Sequence, residues 1–470
     1  MQFLWLFLLL GSVLAAPVNT SSGAVSSSSS NASVNNDIIP VLPSVDDFYS
    51  LPSDFDKYKV GDIMKIRKTP HPLRSVWAEL NVSASWQALV KTTANDGKNT
   101  TWMVTTIIEP YNANPKKLVQ YHIAIDSSSP DCQTSYAIQR GGSAATISSQ
   151  AEMLFIQVLL NKGYYVVSPD YEASSSAFTP AHQAAYASLD SIRAALSSGK
   201  TTGIDSGASV VTWGYSGGSL PTSWGAALQP SYAPDLKNNL KGAAFGGTLA
   251  NLTAAALKID DSIFSGLLVG AVGGLAKTYP IVDKLIHDQL TPSGMKEFEK
   301  TYDLCMVPGL VEYLLAPIFN GEGHMAKDGM KVFENPDLQK VLAENTLAGE
   351  TKPPIPQVPI FMYHGMFDEI LPFDESQRVY DTWCENGIGS FEFAADIAAE
   401  HLIGILSGAG PAYKFIDERL NGVAPIKGCS KSTRLSNFMY PNVTTSLWDV
   451  GSVAWDSFRG DPIGPKSKSQ

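Results

Sequence analysis

Apolar and polar positions alternate in two different rhythms along this chain. Between residues 103 and 247, short β-branched runs are separated by Ala-rich, helix-permissive segments. The run Met103-Val104-Thr105-Thr106-Ile107-Ile108 reads as a strand, and so do residues 118–125, which stop at the loop Asp126-Ser127-Ser128-Ser129-Pro130. Residues 152–160 are almost wholly apolar and precede Gly163, which suits a buried helix with a glycine cap. Tyr164-Tyr165-Val166-Val167-Ser168 has the unbroken apolar character of a central strand covered on both faces. A helical pattern over 180–196 and a strand over 210–214 follow. Strands alternating with helices at this spacing predict a mostly parallel sheet flanked by helices, an α/β architecture.

The rhythm changes after Gly247. Residues 248–349 carry mainly helical patterns, over 254–277, 281–290, 293–302, 310–318 and 336–345, and read as a helical insertion. Within it, residues 263–275 are apolar with four glycines, and are too short to span a bilayer comfortably. A buried helix and a mobile apolar lid fit this run equally well. The strand–helix rhythm returns with a strand over 359–364, a helix over 375–386, a strand over 390–394 and a helix starting near Glu400. Residues 428–470 show no regular pattern and read as a surface-covering tail.

These patterns divide the chain into a signal peptide (1–15), a Ser/Asn-rich leader (16–45), a first core segment (46–247), a helical cap (248–349), a second core segment (350–427) and a tail (428–470). The signal assignment rests on the apolar run over residues 3–10 followed by small residues, although no Lys or Arg precedes it. Six Asn-x-Ser/Thr sequons, at Asn19, Asn31, Asn81, Asn99, Asn251 and Asn442, fit a secretory route and are candidate glycosylation sites. The expectation is a secreted, extracellular protein without a transmembrane anchor.

With 470 residues and 44% hydrophobic content, the chain has ample material for a large core. Its formal net charge of −11, without a dense basic patch, argues against nucleic acid as a partner. Cys132, Cys305, Cys384 and Cys429 allow three disulfide connectivities. Their spacing does not resemble a zinc site, and no metal or cofactor is implied.

The candidate chemistry sits at Gly214-Tyr215-Ser216-Gly217-Gly218, between the strand at 210–214 and the helix-permissive stretch at 223–228. A Gly-x-Ser-x-Gly turn between strand and helix is what a nucleophile elbow needs, because the glycines let strand and helix approach closely around an exposed hydroxyl. A serine also needs a general base, and the base needs a carboxylate. In α/β hydrolases the order along the chain is serine, acid, histidine. Of seven histidines, His71, His122 and His182 precede Ser216, and His287 and His324 lie in the insertion. His364 lies inside a strand, immediately before the loop where the acid belongs. That leaves His401. For the acid, Asp368 leads, with Glu369 and Asp374 as alternatives. The oxyanion hole needs two backbone N–H donors. Gly217 supplies one, and the loop at Asp126-Ser127 is the place for the other.

Several stretches together resemble the fungal secretory lipase family, the lipase A type of yeasts. They are Gly163-Tyr164-Tyr165-Val166-Val167-Ser168, Gly214-Tyr215-Ser216-Gly217-Gly218, Ser231-Tyr232-Ala233-Pro234, Asp368-Glu369-Ile370-Leu371-Pro372 and Ala399-Glu400-His401-Leu402. The resemblance implies an α/β-hydrolase core with a helical cap and a triad on Ser216, Asp368 and His401. It implies an oxyanion hole on Asp126 and Gly217, the family's aspartate lying six residues before a cysteine as Asp126 lies before Cys132. It also implies disulfides Cys132–Cys305 and Cys384–Cys429, and a flap role for the tail.

The resulting expectation is a secreted serine carboxylic-ester hydrolase, a triacylglycerol lipase working through an acyl-enzyme at a lipid–water interface. The alternatives are a short-chain esterase or serine peptidase on the same fold, or a catalytically silent relative that binds surfaces.

Overall fold

A computed structural model describes residues 39–76, 78–349 and 352–443, together with 451–453, 455, 456, 459 and 461–465. The signal peptide, most of the leader and the sequons Asn19 and Asn31 lie outside the described residues. Ten strands form one sheet: β1 Ile63–Lys68, β2 Ala84–Thr93, β3 Thr100–Glu109, β4 Asn114–His122, β5 Tyr164–Pro169, β6 Ser209–Tyr215, β7 Leu240–Gly246, β8 Ile360–Gly365, β9 Ser390–Asp396 and β10 Gly428–Arg434. Their spatial order is β1-β2-β3-β5-β4-β6-β7-β8-β9-β10. β1, β2 and β3 pair antiparallel, as do β3 and β5, and from β5 to β10 every pairing is parallel. This is the α/β-hydrolase arrangement, a large and mostly parallel sheet flanked by helices.

The longer helices, leaving single turns unnumbered, are α1 Ile147–Asn161, α2 Ala181–Ser197, α3 Ser219–Tyr232, α4 Leu252–Ile259, α5 Ser265–Ala276, α6 Pro280–Gln289, α7 Pro292–Glu299, α8 Met306–Glu312, α9 Pro336–Glu344, α10 Phe373–Glu385 and α11 His401–Leu420. Two hydrophobic cores lie on opposite faces of the sheet. Ala184, Leu189 and Ile192 of α2, Trp224 of α3 and Val379 and Trp383 of α10 belong to one. Ile156 and Leu159 of α1 and Tyr413 and Ile416 of α11 belong to the other. At the centre of the second, Trp213 meets Tyr121 and Tyr413 edge-on at 5.0 and 4.8 Å between ring centroids. Its indole N–H donates to Tyr363 Oη at 3.0 Å, so the one polar atom of that ring is satisfied.

Three sequence expectations need correction. The single helix expected over 254–277 is two, α4 and α5, broken at Asp260, whose carboxylate instead accepts N–H bonds from Ile318, Phe319 and Asn320. The tail does not begin irregular: Gly428–Arg434 is β10, hydrogen-bonded along its length to β9. The helix expected over 310–318 lies earlier, as α8. The end of the leader is also anchored, with Ser44 N and Oγ each donating to Asp131 at 2.9 Å. Among the described residues no helix is long and apolar enough to cross a membrane.

Candidate active site

β6 is buried along nearly its whole length and sits between β4 and β7, which explains its Val-Val-Thr-Trp run. It ends at Tyr215, and α3 starts four residues later. Strand and helix approach so closely that a Cβ on Gly214 would strike the Gly218 carbonyl, and one on Gly218 would strike the His122 carbonyl. Ser216 takes φ +54° at the turn, a left-handed conformation that costs a non-glycine residue on the order of 1–3 kcal/mol. The buried elements on either side hold it there.

His401 is the first residue of α11. Its Nε2 is 2.8 Å from Ser216 Oγ, and its Nδ1 is 2.7 Å from Asp368 Oδ2. His401 is 3% exposed and Asp368 1%. Asp368 Oδ1 accepts the N–H groups of Ile370 and Leu371 at 3.0 and 2.7 Å, an Asx-type turn that ties the acid to its own loop. Two further contacts hold His401. Its backbone N–H donates to Glu369 Oε2 at 2.7 Å, a carboxylate answering a free amide at a helix start. Its carbonyl accepts the Tyr215 hydroxyl at 2.7 Å.

Of the three acids considered from sequence, Asp368 meets the imidazole, Glu369 meets the histidine backbone, and Asp374 is exposed in the first turn of α10. Burial disfavours the His401 imidazolium, but the Asp368 carboxylate, with Glu369 and Asp126 beside it, outweighs burial and raises its pKa. Burial would push the Asp368 carboxyl up, yet His401 and then His364 hold it well below the usual range.

A second histidine touches the acid. His364, at the end of β8, has its Nε2 3.1 Å from Asp368 Oδ2. Sequence order alone had set it aside. The visible signal was its position four residues before Asp368. Its direction depends on the backbone between them.

Asp126, at the end of the segment after β4, also has a left-handed φ of +48°. Its carboxyl lies where a Gly217 Cβ would be, so the loop and the residue after Ser216 are in direct contact. Asp126 Oδ1 is buried with no hydrogen-bond partner among the described residues, and burial, opposed by His401, pushes the carboxyl up to about 7. The rest of this loop is fastened to the helices above. Ser127 Oγ donates to Leu304 O at 2.8 Å, Ser128 Oγ to Gly270 O at 2.9 Å, and Lys277 Nζ to the carbonyls of Ser128 and Ser175. Cys132 and Cys305 are disulfide-bonded, with their Cα atoms 5.4 Å apart. Cys384 and Cys429 form the second bridge, between α10 and β10.

An apolar cavity opens onto this centre. Ser216, Gly217 and Asp126 contribute to its wall. The remainder is largely apolar: Leu252, Ala256 and Ile259 from α4, Leu268, Val272 and Leu275 from α5, Val282 and Ile286 from α6, and Phe298 from α7, with Thr179 and Gln289 among the few polar groups. The run 263–275 is therefore in part α5, a helix that turns one side to this cavity. Its glycines pack tightly: a Cβ on Gly274 would strike the Phe178 backbone, and one on Gly266 the Gly309 backbone. Of the described sequons, Asn99 and Asn442 are exposed, whereas Asn81 and Asn251 are half-buried and Asn251 caps α4.

Known proteins resemble this chain over most of its length. The family model described as secretory lipase matches residues 138–428. Lipase 2 of Candida albicans is 42% identical over 429 residues, covering 91% of this chain and 92% of that protein. Lipase 1 of the same organism is 40% identical, covering 90% of each. Among solved structures, Candida antarctica lipase A in its closed state superposes with a TM-score of 0.78 at 24% identity, over 91% of this chain and 99% of that one.

Proposed function

The chain belongs to the secretory lipase family and is a carboxylic-ester hydrolase, and we propose that it cleaves triacylglycerols and other long-chain esters through Ser216, His401 and Asp368. The observation that carries this reading is the Ser216 Oγ–His401 Nε2 contact of 2.8 Å, which sits at the wall of a large apolar cavity. In this reading Ser216 Oγ attacks the ester carbonyl while His401 Nε2 takes its proton. The tetrahedral oxyanion collapses, and His401 returns the proton to the departing alcohol. Water, activated by the same imidazole, then releases the fatty acid from Ser216. Asp368 keeps the His401 proton on Nδ1 and stabilises the imidazolium.

Backbone N–H groups of Gly217 and Asp126 hold the oxyanion. Such a donor is worth on the order of 10²–10³ in kcat. A neutral Asp126 carboxyl suits this place, since an ionised one would oppose the developing negative charge. We assign residues 248–349 as the cap that receives the acyl chain, between the core segments 46–247 and 350–427. The family's character and two disulfides support secretion. A lipid–water interface is then the site of action.

The test is a panel of nitrophenyl esters of increasing acyl length, run above and below substrate solubility with a peptide amide alongside, on wild type and Ser216→Ala. The expected result is turnover favouring the longer esters and its loss in Ser216→Ala. Preference for the amide, or full activity in the variant, would overturn the assignment.

A further inference from the structure

His364 is buried, and its two ring nitrogens face different kinds of groups. The Thr248 backbone N–H donates to Nδ1 at 3.1 Å, and Ser376 Oγ lies 2.8 Å from the same atom. A backbone amide can only donate, so Nδ1 must be unprotonated and the ring proton must sit on Nε2. Nε2 faces two acceptors at 3.1 Å, Asp368 Oδ2 and the Leu371 carbonyl. The hydrogen-bond pattern is thus consistent with a single tautomer. It turns the His364 Nε2–H toward both the Leu371 carbonyl and Asp368 Oδ2, so that Oδ1 meets two backbone amides and Oδ2 lies within 3.1 Å of two imidazole nitrogens.

The four groups around His364 come from three parts of the chain. Thr248 follows β7, Ser376 lies in α10, and Asp368 and Leu371 belong to the loop between β8 and α10. The imidazole therefore joins the end of β7 to the acid loop. The backbone amides on Oδ1 hold one side of the carboxylate, and on the other side Oδ2 would otherwise meet only His401, which moves during proton transfer. A second donor from the fixed end of β8 steadies that oxygen.

We propose that His364, as the Nε2–H tautomer, is a positioning residue that fixes Asp368 in the orientation His401 requires. The proposal rests on the assignment of Ser216, His401 and Asp368 as the hydrolytic triad. Charged groups facing His401 are Asp368, Glu369 and Asp126. The charged group at hydrogen-bond distance from His364 is Asp368, with Phe373 covering the ring at 6.0 Å. The His364 N–H dipole offsets part of the Asp368 charge. Its removal leaves His401 facing a less compensated carboxylate, which holds the imidazolium to higher pH.

The test compares wild type with His364→Phe, His364→Asn and His364→Gln on a soluble short-chain nitrophenyl ester, with Ser216→Ala in parallel. In the Phe and Asn variants kcat is expected to fall on the order of tenfold to a hundredfold, the loss of one hydrogen bond to a buried charge, with KM within about twofold. The acid limb of kcat/KM should move to higher pH. Gln, whose amide nitrogen reaches the Nε2 position, should recover most of kcat.

A reading that needs no folded variant at position 364 comes from ¹⁵N-histidine NMR of the wild-type enzyme, assigned through Ser376→Ala. The expected signal has a protonated Nε2 and a bare Nδ1. The opposite tautomer would overturn the proposal. So would folded variants with lowered thermal stability but wild-type kcat and an unmoved acid limb. Activity retained in Ser216→Ala would remove the triad assignment and this proposal with it. Activity lost there but unchanged in the His364 variants would remove this proposal alone.

Discussion

Four nitrogens, two backbone amides and two imidazoles, lie within 3.1 Å of the Asp368 carboxylate oxygens, whereas Leu252, Ile259, Leu268 and Val272 along the cavity wall offer a bound molecule no hydrogen bond at all. The first region is carried on strand ends and on the start of one long helix. Every contact in it is directional, and a shift of a few tenths of an ångström would break one. The second is built from helices of 8 to 12 residues, α4 to α7 and α9, whose apolar sides meet around empty space. Directional contacts fix which bond is broken. Non-directional ones set how much apolar chain can be accommodated, and do so with little regard for its exact shape. The difference predicts that the two regions can be damaged separately.

The largest effect is expected from Ser216→Ala, which removes the nucleophile and should cut kcat on the order of 10⁶-fold, read by single-turnover kinetics on a short ester. Asp368→Asn should cost about 10⁴-fold in kcat, because the amide would offer His401 a donor where it needs an acceptor. Both losses should be equal for short and long acyl chains. A loss confined to long chains would blur the division between the regions.

The disulfide Cys132–Cys305 ties the segment after β4 to the turn before α8 and closes a loop across 173 positions. Replacing both cysteines with serine should lower stability by roughly 2–5 kcal/mol in denaturant unfolding. In contrast to these, Ala256→Phe, on the cavity wall, should lower kcat/KM for long-chain esters on the order of tenfold and leave short-chain esters near wild type. The smallest effect concerns pH. The proposed reaction needs His401 neutral, and its pKa is raised, so the acid limb should lie above the ordinary histidine value of about 6.5. Asp126, pushed up to about 7, acquires its charge beside the oxyanion position as pH rises through that value. Activity should therefore fall on the alkaline side, and Asp126→Asn should flatten that limb in a pH–rate profile.

The same contrast explains what the sequence disclosed. β5, β6 and β8 could be read because they are covered on both faces and are mostly apolar. β2 could not, because its buried positions on both faces include Gln87, Lys91 and Thr92, whose polar atoms find partners only once the fold has formed: Gln87 Nε2 reaches Ser135 O, and Thr92 Oγ1 reaches Asp190. β10, Gly-Cys-Ser-Lys-Ser-Thr-Arg, is a polar edge strand with the composition of a loop, held in place by its ladder to β9.

At the site, chain order singled out Ser216 and His401, since few histidines follow the elbow. It could not separate Asp368 from Glu369, because both carboxylates contact His401, one through its ring and one through its backbone. His364 was discarded for sitting in a strand, the feature that aims it at Asp368. The cavity was legible only as an apolar, glycine-rich run, because its shape depends on how α4 to α7 cross.

One measurement reads both regions at once: the rate of covalent modification of the enzyme by alkyl phosphonates differing only in chain length, with the adduct located by peptide mass. The expected result is a single adduct on Ser216, formed faster by the long-chain reagent and lost in His401→Ala. An adduct elsewhere, no adduct, or equal rates for short and long reagents would contradict the pairing of this serine with that cavity.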